Sequence, residues 1–300
     1  MNKLFYLAMV FFVFAMCKKE EENLPPISNF YVSSTTIGEG ESIQFFDTSI
    51  NSPTSWLWKF GDGSTSIDQN PMHVFGSAGN FEVSLEVKNN YGSSVKTINI
   101  TVLKIVTDID GNKYHIVTIG TQVWMAENLK TTRYRNSDLI PNVSDKLEWE
   151  ALNTGAFCIY NNDEINSNIY GHLYNWFAVA DSRNIAPIGW HVPSDAEWAT
   201  LVDFLGGQSV AGGKLKELGA NHWRNGNLKA TNEFGFTALP GGYRNFDGKF
   251  SSIGFSGTFW STTIDILYPW YCGMNFDIND IYRGHDFKKE VGFSIRCVKD

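Results

Sequence analysis

The sequence predicts two folded domains of different class: an all-β sandwich, then an α+β domain with few helices and many loops. Three observations carry this. In three segments between Ser42 and Val102, apolar and polar residues alternate with a period of two, the mark of half-buried strands. From Thr107 onward that alternation gives way to segments of helical period, clearest at 194–205. Beyond Gly219, glycine and aromatic residues crowd together without a sustained period, as short strands on long loops do. A chain of 300 residues also exceeds one typical domain.

Composition bounds the partners. The chain is 43% hydrophobic and 15% aromatic, enough to bury a core, and its net charge is −8. No basic stripe interrupts that acidity. Nucleic acid is therefore not an expected partner, because phosphate binding needs clustered Lys and Arg.

At the N-terminus Lys3 precedes a 13-residue apolar run, Leu4 to Met16, too short to span a bilayer but suited to a signal peptide. Cys17 ends the run, and Lys18-Lys19-Glu20-Glu21-Glu22 follow. This resembles the lipobox of bacterial lipoproteins, although Met16 stands where Gly, Ala or Ser is usual. The acidic run resembles the export signal of Bacteroidetes surface lipoproteins. The resemblance implies a signal peptide over 1–16, lipidation of Cys17 and a lipid-anchored acidic linker over 17–25. It also implies that the chain is held on the outer membrane, facing outward, with the membrane as its first partner.

The strands come next. Ser42 to Phe45, Phe81 to Val87 and Val95 to Val102 alternate, and turns fall at Gly61 to Ser64, Gly76 to Asn80 and Asn89 to Gly92. Trp58 and Phe60 share one strand face and are expected in the core, while Asp62 is placed to close an Asx turn. Trp56-Leu57-Trp58-Lys59-Phe60-Gly61-Asp62-Gly63, Asn70-Pro71-Met72-His73-Val74-Phe75 and Val87 to Gly92 together resemble a PKD domain over residues 26–103, an immunoglobulin-like sandwich. Lys59 replaces the family's usual Asp. Structural use of Asp62 and His73 is the expectation, ahead of catalysis or calcium binding.

In the second region, Thr107 to Tyr114 forms a hairpin around Asp110-Gly111, and Val117 to Trp124 a further strand pair. Helices are expected at 194–205, 170–180 and 211–218. The first has Ser194 as N-cap, Glu197 completing a capping box, a Trp198/Leu201/Val202/Leu205 stripe, and Gly206 as its stop. Gln122 to Leu129, Tyr170-Gly171-His172-Leu173-Tyr174-Asn175-Trp176, Gly189 to Trp198, Leu239 to Arg244 and Gly292 to Asp300 resemble the Fibrobacter succinogenes major paralogous domain over 107–300. That family is similar in fold to C-type lectin-like and sulfatase-modifying-factor domains, and membership implies no common activity. The family often carries Cys-Pro where this chain has Ala186-Pro187, so the usual partner of the C-terminal cysteine is missing. Cys272–Cys297 is then the alternative disulfide, with Cys158 free or buried.

Chemistry is sparse. There is no GxSxG, Walker loop, HExxH or CxxC, and His115, His172, His191, His222 and His285 are scattered singly. Cys272 and Cys297 lack the close spacing of a copper-binding oxidase pair. Asp277-Ile278-Asn279-Asp280, with Asp265 and Asp286, is the nearest approach to a calcium loop, and a solvated acidic loop is the reading preferred for it. No catalytic residue, metal or cofactor is therefore expected, and the chain is not expected to be an enzyme. The aromatic-rich stretch from Trp223 to Tyr271 favours binding of a polysaccharide or surface protein. Arg224, Arg244 and Tyr268 are its expected surface contacts. Alternatives are a sulfatase-modifying-type oxidase and a structural surface protein.

Overall fold

The computed structural model describes residues 24–300 except 225 and 228. The signal peptide, Cys17 and most of the acidic linker lie outside these residues. Among the described residues no helix is long and apolar enough to cross a membrane. The chain is mostly β, and two compact units are distinguished, divided near Thr101–Val102.

The N-terminal unit is a PKD-like sandwich of eight strands. They are β1 (Phe30–Val32), β2 (Thr36–Gly38), β3 (Ser42–Asp47), β4 (Ser55–Lys59), β5 (Thr65–Ser66), β6 (Met72–Val74), β7 (Gly79–Asn89) and β8 (Gly92–Leu103). One sheet has the order β1-β3-β6 and the other β2-β8-β7-β4-β5. The alternation on β7 puts Val83, Leu85 and Val87 inside at 0% exposure, whereas a one-residue slip would turn all three outward. Trp58 and Phe60 fill the space between the sheets. Phe30 and Phe45 meet the Trp58 ring at 4.9 and 5.3 Å, and the Trp58 indole N–H donates to the Asp68 carbonyl at 2.9 Å.

The C-terminal unit contains short strands and five α-helices. Strands β9 (Ile105–Thr107), β10 (Lys113–Ile119) and β11 (Gln122–Met125) begin it, then helices α1 (Lys146–Glu150) and α2 (Glu164–Tyr170). A two-stranded pair, β12 (Phe157–Cys158) with β13 (Leu173–Tyr174), leads to α3 (Trp176–Val179), β14 (Trp190–His191), α4 (Asp195–Phe204) and α5 (Gln208–Leu215). The second half supplies β15 (Gly241–Arg244), β16 (Phe250–Ile253), β17 (Ser256–Asp265), β18 (Tyr268–Asn275), β19 (Ile281–Gly284) and β20 (Val298–Lys299). One sheet runs β14-β20-β11-β10-β9, so the last strand returns beside the early ones. The other runs β16-β15-β17-β18-β19.

Helix α4 forms as its signals require. The Ser194 hydroxyl accepts from the Glu197 amide, and Glu197 accepts from the Ser194 amide at 2.7 Å. Its stripe of Trp198, Leu201, Val202 and Leu205 packs with Trp124, Phe236 and Phe259. The expected helix over 170–180 does not form as one piece. Gly171 adopts φ 72°, where a Cβ would meet the Leu129 carbonyl at 2.8 Å, and ends α2. Leu173–Tyr174 then pairs in a sheet, and Asn175 caps the single turn of α3. The helical spacing of Leu173, Trp176 and Phe177 is thus produced by two separate segments, β13 and α3. The third helix starts earlier than expected, at Gln208, and ends at Leu215. Its Gly212 admits the Asp280 carbonyl at 2.5 Å from where a Cβ would sit.

Two buried guanidinium groups stitch the loops. Arg296, 0% exposed, donates to Asn128 Oδ1 at 2.7 and 3.1 Å, to the Ala126 carbonyl at 2.8 Å, and to the Met125, Phe236 and Thr237 carbonyls. Its plane lies over Phe236 and Phe259, 4.5 and 5.5 Å from the ring centres, and burial pushes it down to about 9. Arg244, 1% exposed, donates to the carbonyls of Val143, Ser144, Asp145 and Gly248 and stacks over Trp149 at 4.5 Å. Arg244 is therefore a core clamp and not the surface contact expected from sequence. A fork of five donors can satisfy several loop carbonyls at once, which is why it sits inside.

The disulfide expectation also fails: Cys158, Cys272 and Cys297 are all free and buried. Cys272 packs in the core with Trp198 and Phe259, whereas Cys297 belongs to the separate core of Tyr114, Met125 and Trp260. Burial pushes both thiols up, so neither has the thiolate character that reactive cysteines need.

Candidate functional site

Strands β17 and β18 form the longest hairpin of the C-terminal unit, and its turn is chemically odd. Asp265 pairs with Tyr268 across a two-residue connection, Ile266-Leu267, where glycine or asparagine is the usual choice. The register shifts between Trp260 and Ile264, a bulge that increases the local twist. Asp265 Oδ1 accepts from the Ile266 amide at 3.0 Å and helps hold the turn. Ile266 is 94% exposed and Leu267 68%, far more than any packing role requires.

The tip borders a groove of about 490 Å³, lined by Asp265, Ile266, Leu267, Tyr268, His285 and Asp286. His285 and Asp286 follow β19, which is locked in place by Arg283. That guanidinium grips Asp195 in the first turn of α4 through Nε at 2.8 Å and Nη2 at 3.0 Å. His285 Nδ1 lies 3.6 Å from Asp265 Oδ2, and its ring packs tilted at 39° against Trp270, 4.6 Å between centroids. The Tyr271 hydroxyl donates to Asp286 Oδ1 at 2.8 Å. The result is an open groove with an apolar tip on one side and carboxylates on both.

Of the residues expected at a binding surface, Tyr268 alone lies here, 39% exposed. Arg224 is exposed but stacks over Phe255 at 4.2 Å, outside this lining. Asp265 and Asp286 line the groove, whereas Asp277 and Asp280 lie in the β18–β19 loop, at the other end of β18. The tertiary structure thus divides the acidic group seen in sequence. Among the described residues no three His, Cys, Asp or Glu side chains converge as a metal site would require. Ile266 and Leu267 were not named from sequence, and His285 only as one of the scattered histidines. The available signal was a hairpin turn lacking glycine or asparagine between two alternating runs.

The other polar clusters are occupied structurally. His191 sits between Asp300 and Glu197 at 2.7 and 2.6 Å; burial opposes its charge, but these carboxylates outweigh it and raise its pKa. His172 stacks on Phe157 and shares a 2.9 Å hydrogen bond with Ser167, and burial pushes it down to about 4. Both residues are buried, so this serine is not presented to a substrate.

In the N-terminal unit, Asp62 closes its turn by accepting from the Ser64 amide at 2.9 Å, and His73 Nε2 meets Asp62 Oδ2 at 2.7 Å. Burial opposes ionisation of Asp62, yet Ser64 and His73 together hold it at about 2. Ser64 also contacts His73 through Nε2, at 3.3 Å, so one ring nitrogen meets both partners and no relay across the ring exists.

The family model of the Fibrobacter succinogenes major domain matches residues 117–299, and that of the PKD domain matches residues 23–103. Collagenase ColA of Bacillus cereus is 43% identical over 60 residues, covering 19% of this chain and 6% of the collagenase. A microbial collagenase of Vibrio alginolyticus is 36% identical over 89 residues, covering 28% and 11%. These matches involve only the non-catalytic PKD-like portion, so the chain spans a small fraction of the length of either relative. The crystal structure of the PKD1 domain from the Vibrio cholerae metalloprotease PrtV is 30% identical, covering 26% of this chain and 98% of that domain, with a TM-score of 0.24.

Proposed function

The chain belongs to the Fibrobacter succinogenes major domain family, and on that premise we propose that it is a surface-anchored binding protein whose C-terminal domain is the recognition head. The observation that carries the reading is the open groove beside the Ile266-Leu267 turn, which includes Tyr268. Apolar side chains left in water beside carboxylates favour a ligand over folding stability. The PKD-like sandwich acts as a spacer, and Cys17 carries the lipid that holds the chain to the outer membrane. A C-type lectin-like topology for the head belongs to the same proposal, supported by the return of β20 beside β11.

The sulfatase-modifying oxidase is disfavoured by the placement of Cys272 and Cys297 in separate cores. The test is retention of the full-length protein on arrays of polysaccharides and surface proteins. Tyr268→Ala and Leu267→Ser should abolish the retention seen with the parent chain. Failure to retain any ligand, or retention indifferent to both substitutions, ends the reading. Radiolabelled palmitate incorporation that is lost in Cys17→Ala supports the anchor; incorporation that persists refutes it.

A further inference from the structure

Resting on the recognition-head reading, we infer that the hairpin-tip groove takes a cationic, aliphatic peptide segment of another protein: a lysine or arginine flanked by leucine-like residues. The charge of the lining points to this occupant. Asp265 and Asp286 present two carboxylates against a single imidazole, that of His285. The nearby cations are engaged elsewhere. Arg283 is committed to Asp195, while Lys288 Nζ lies 4.1 Å from the Phe246 ring and Lys289 Nζ 5.2 Å from that of Trp176. The apolar half is equally specific. Ile266, Leu267 and Tyr268 are consecutive around the turn and between 39% and 94% exposed. A long basic side chain can lay its methylenes along Leu267 and Tyr268 while its head reaches the carboxylates.

Two other classes of ligand fit less well. A sugar needs an open aromatic face with amide side chains around it, but the tilted His285 ring lies against Trp270 at 4.6 Å and no Asn or Gln lines the groove. A membrane surface would suit the apolar tip, yet tips that insert into anionic bilayers carry Lys or Arg beside them. Here the flanking charges are carboxylates, which such headgroups repel.

The experiment uses the full-length protein and a fluorescein-labelled octapeptide of alternating leucine and arginine. A second peptide has glutamine in place of every arginine. The Leu-Arg peptide should bind, and its affinity should fall about tenfold or more in the Leu-Gln peptide, in Asp265→Asn/Asp286→Asn and in Ile266→Ser/Leu267→Ser. Unchanged circular dichroism and melting of the variants would assign these losses to the groove. Equal binding of the two peptides, or indifference to the carboxylate variant, overturns the inference. Binding of neutral oligosaccharides or phosphatidylcholine–phosphatidylglycerol vesicles in place of the peptide, lost in the tip variant, overturns it too but keeps the recognition head. If no probe binds in a manner that either variant alters, both readings fall.

Discussion

In the N-terminal sandwich the backbone satisfies itself along strands of up to 12 residues, and the core holds side chains such as Trp58, Phe45 and Val83. In the C-terminal domain many strands have only two to four residues, and buried arginines take over the loop carbonyls that no strand partner reaches. Regular pairing needs only apolar filling. Irregular backbone needs polar groups inside, since each unpaired buried carbonyl costs about 1–3 kcal/mol. The same difference places the exposed groove on the loop-rich unit, where side-chain clamps such as Arg283–Asp195 fix β19 against α4.

Breaking each kind of core separately gives the largest effects. Trp58→Ala should destabilise the sandwich by about 3–5 kcal/mol, read as faster amide exchange on the β4 and β7 segments. Arg296→Leu strands several buried acceptors at about 1–3 kcal/mol each, so it should cost the C-terminal domain a comparable amount, with exchange accelerating around Met125–Asn128 and Phe236–Thr237. Arg296→Lys should rescue little, because an ammonium lacks the planar fork. Exchange in the sandwich accelerated by Arg296→Leu as much as exchange around Met125–Asn128 would remove the distinction drawn between the two units.

Acid should separate the units next. His172 is held at about 4, below its ordinary value of 6.5, so the unfolded chain takes up the proton first. Its stabilising share is intact above pH 6.5 and fades as pH falls toward 4, on the order of 3 kcal/mol in all. Asp62, held at about 2 instead of 3.8, contributes above its unfolded value and loses that share as pH falls through 2. Exchange-monitored acid titration should therefore loosen the C-terminal domain first, and His172→Gln should flatten its profile between pH 6.5 and 4. The smallest effect is at the tip: Ile266→Ser/Leu267→Ser should change thermal stability by less than about 0.5 kcal/mol, since neither side chain is packed.

The elements legible in advance were those whose signals are local. The β7 alternation, the Asp62 turn and the Ser194–Glu197 capping box each involve residues within a few positions of one another, and they form as read. The helix over 170–180 failed because one left-handed glycine and a pairing with Phe157–Cys158 outweigh a spacing that also suits a helix. Tyr268 was recognisable as a surface aromatic and Asp265 and Asp286 as acidic residues, but their meeting in one groove was not, because His285 and Asp286 reach it from beyond a whole strand pair.

By itself, then, the sequence determined a strand-rich N-terminal unit, a capped helix in the second, a negative charge, and Cys17 as the point where an anchor is expected. Only the tertiary structure decided that Arg244 is a core clamp, that Cys272 and Cys297 lie apart, and that Asp265 and Asp286 share a groove while Asp277 and Asp280 do not. The physical reason is the range of the forces. Periodicity, capping and turn chemistry act over a few residues, whereas a buried guanidinium finds its carbonyls up to 171 positions away, and no local pattern carries that distance.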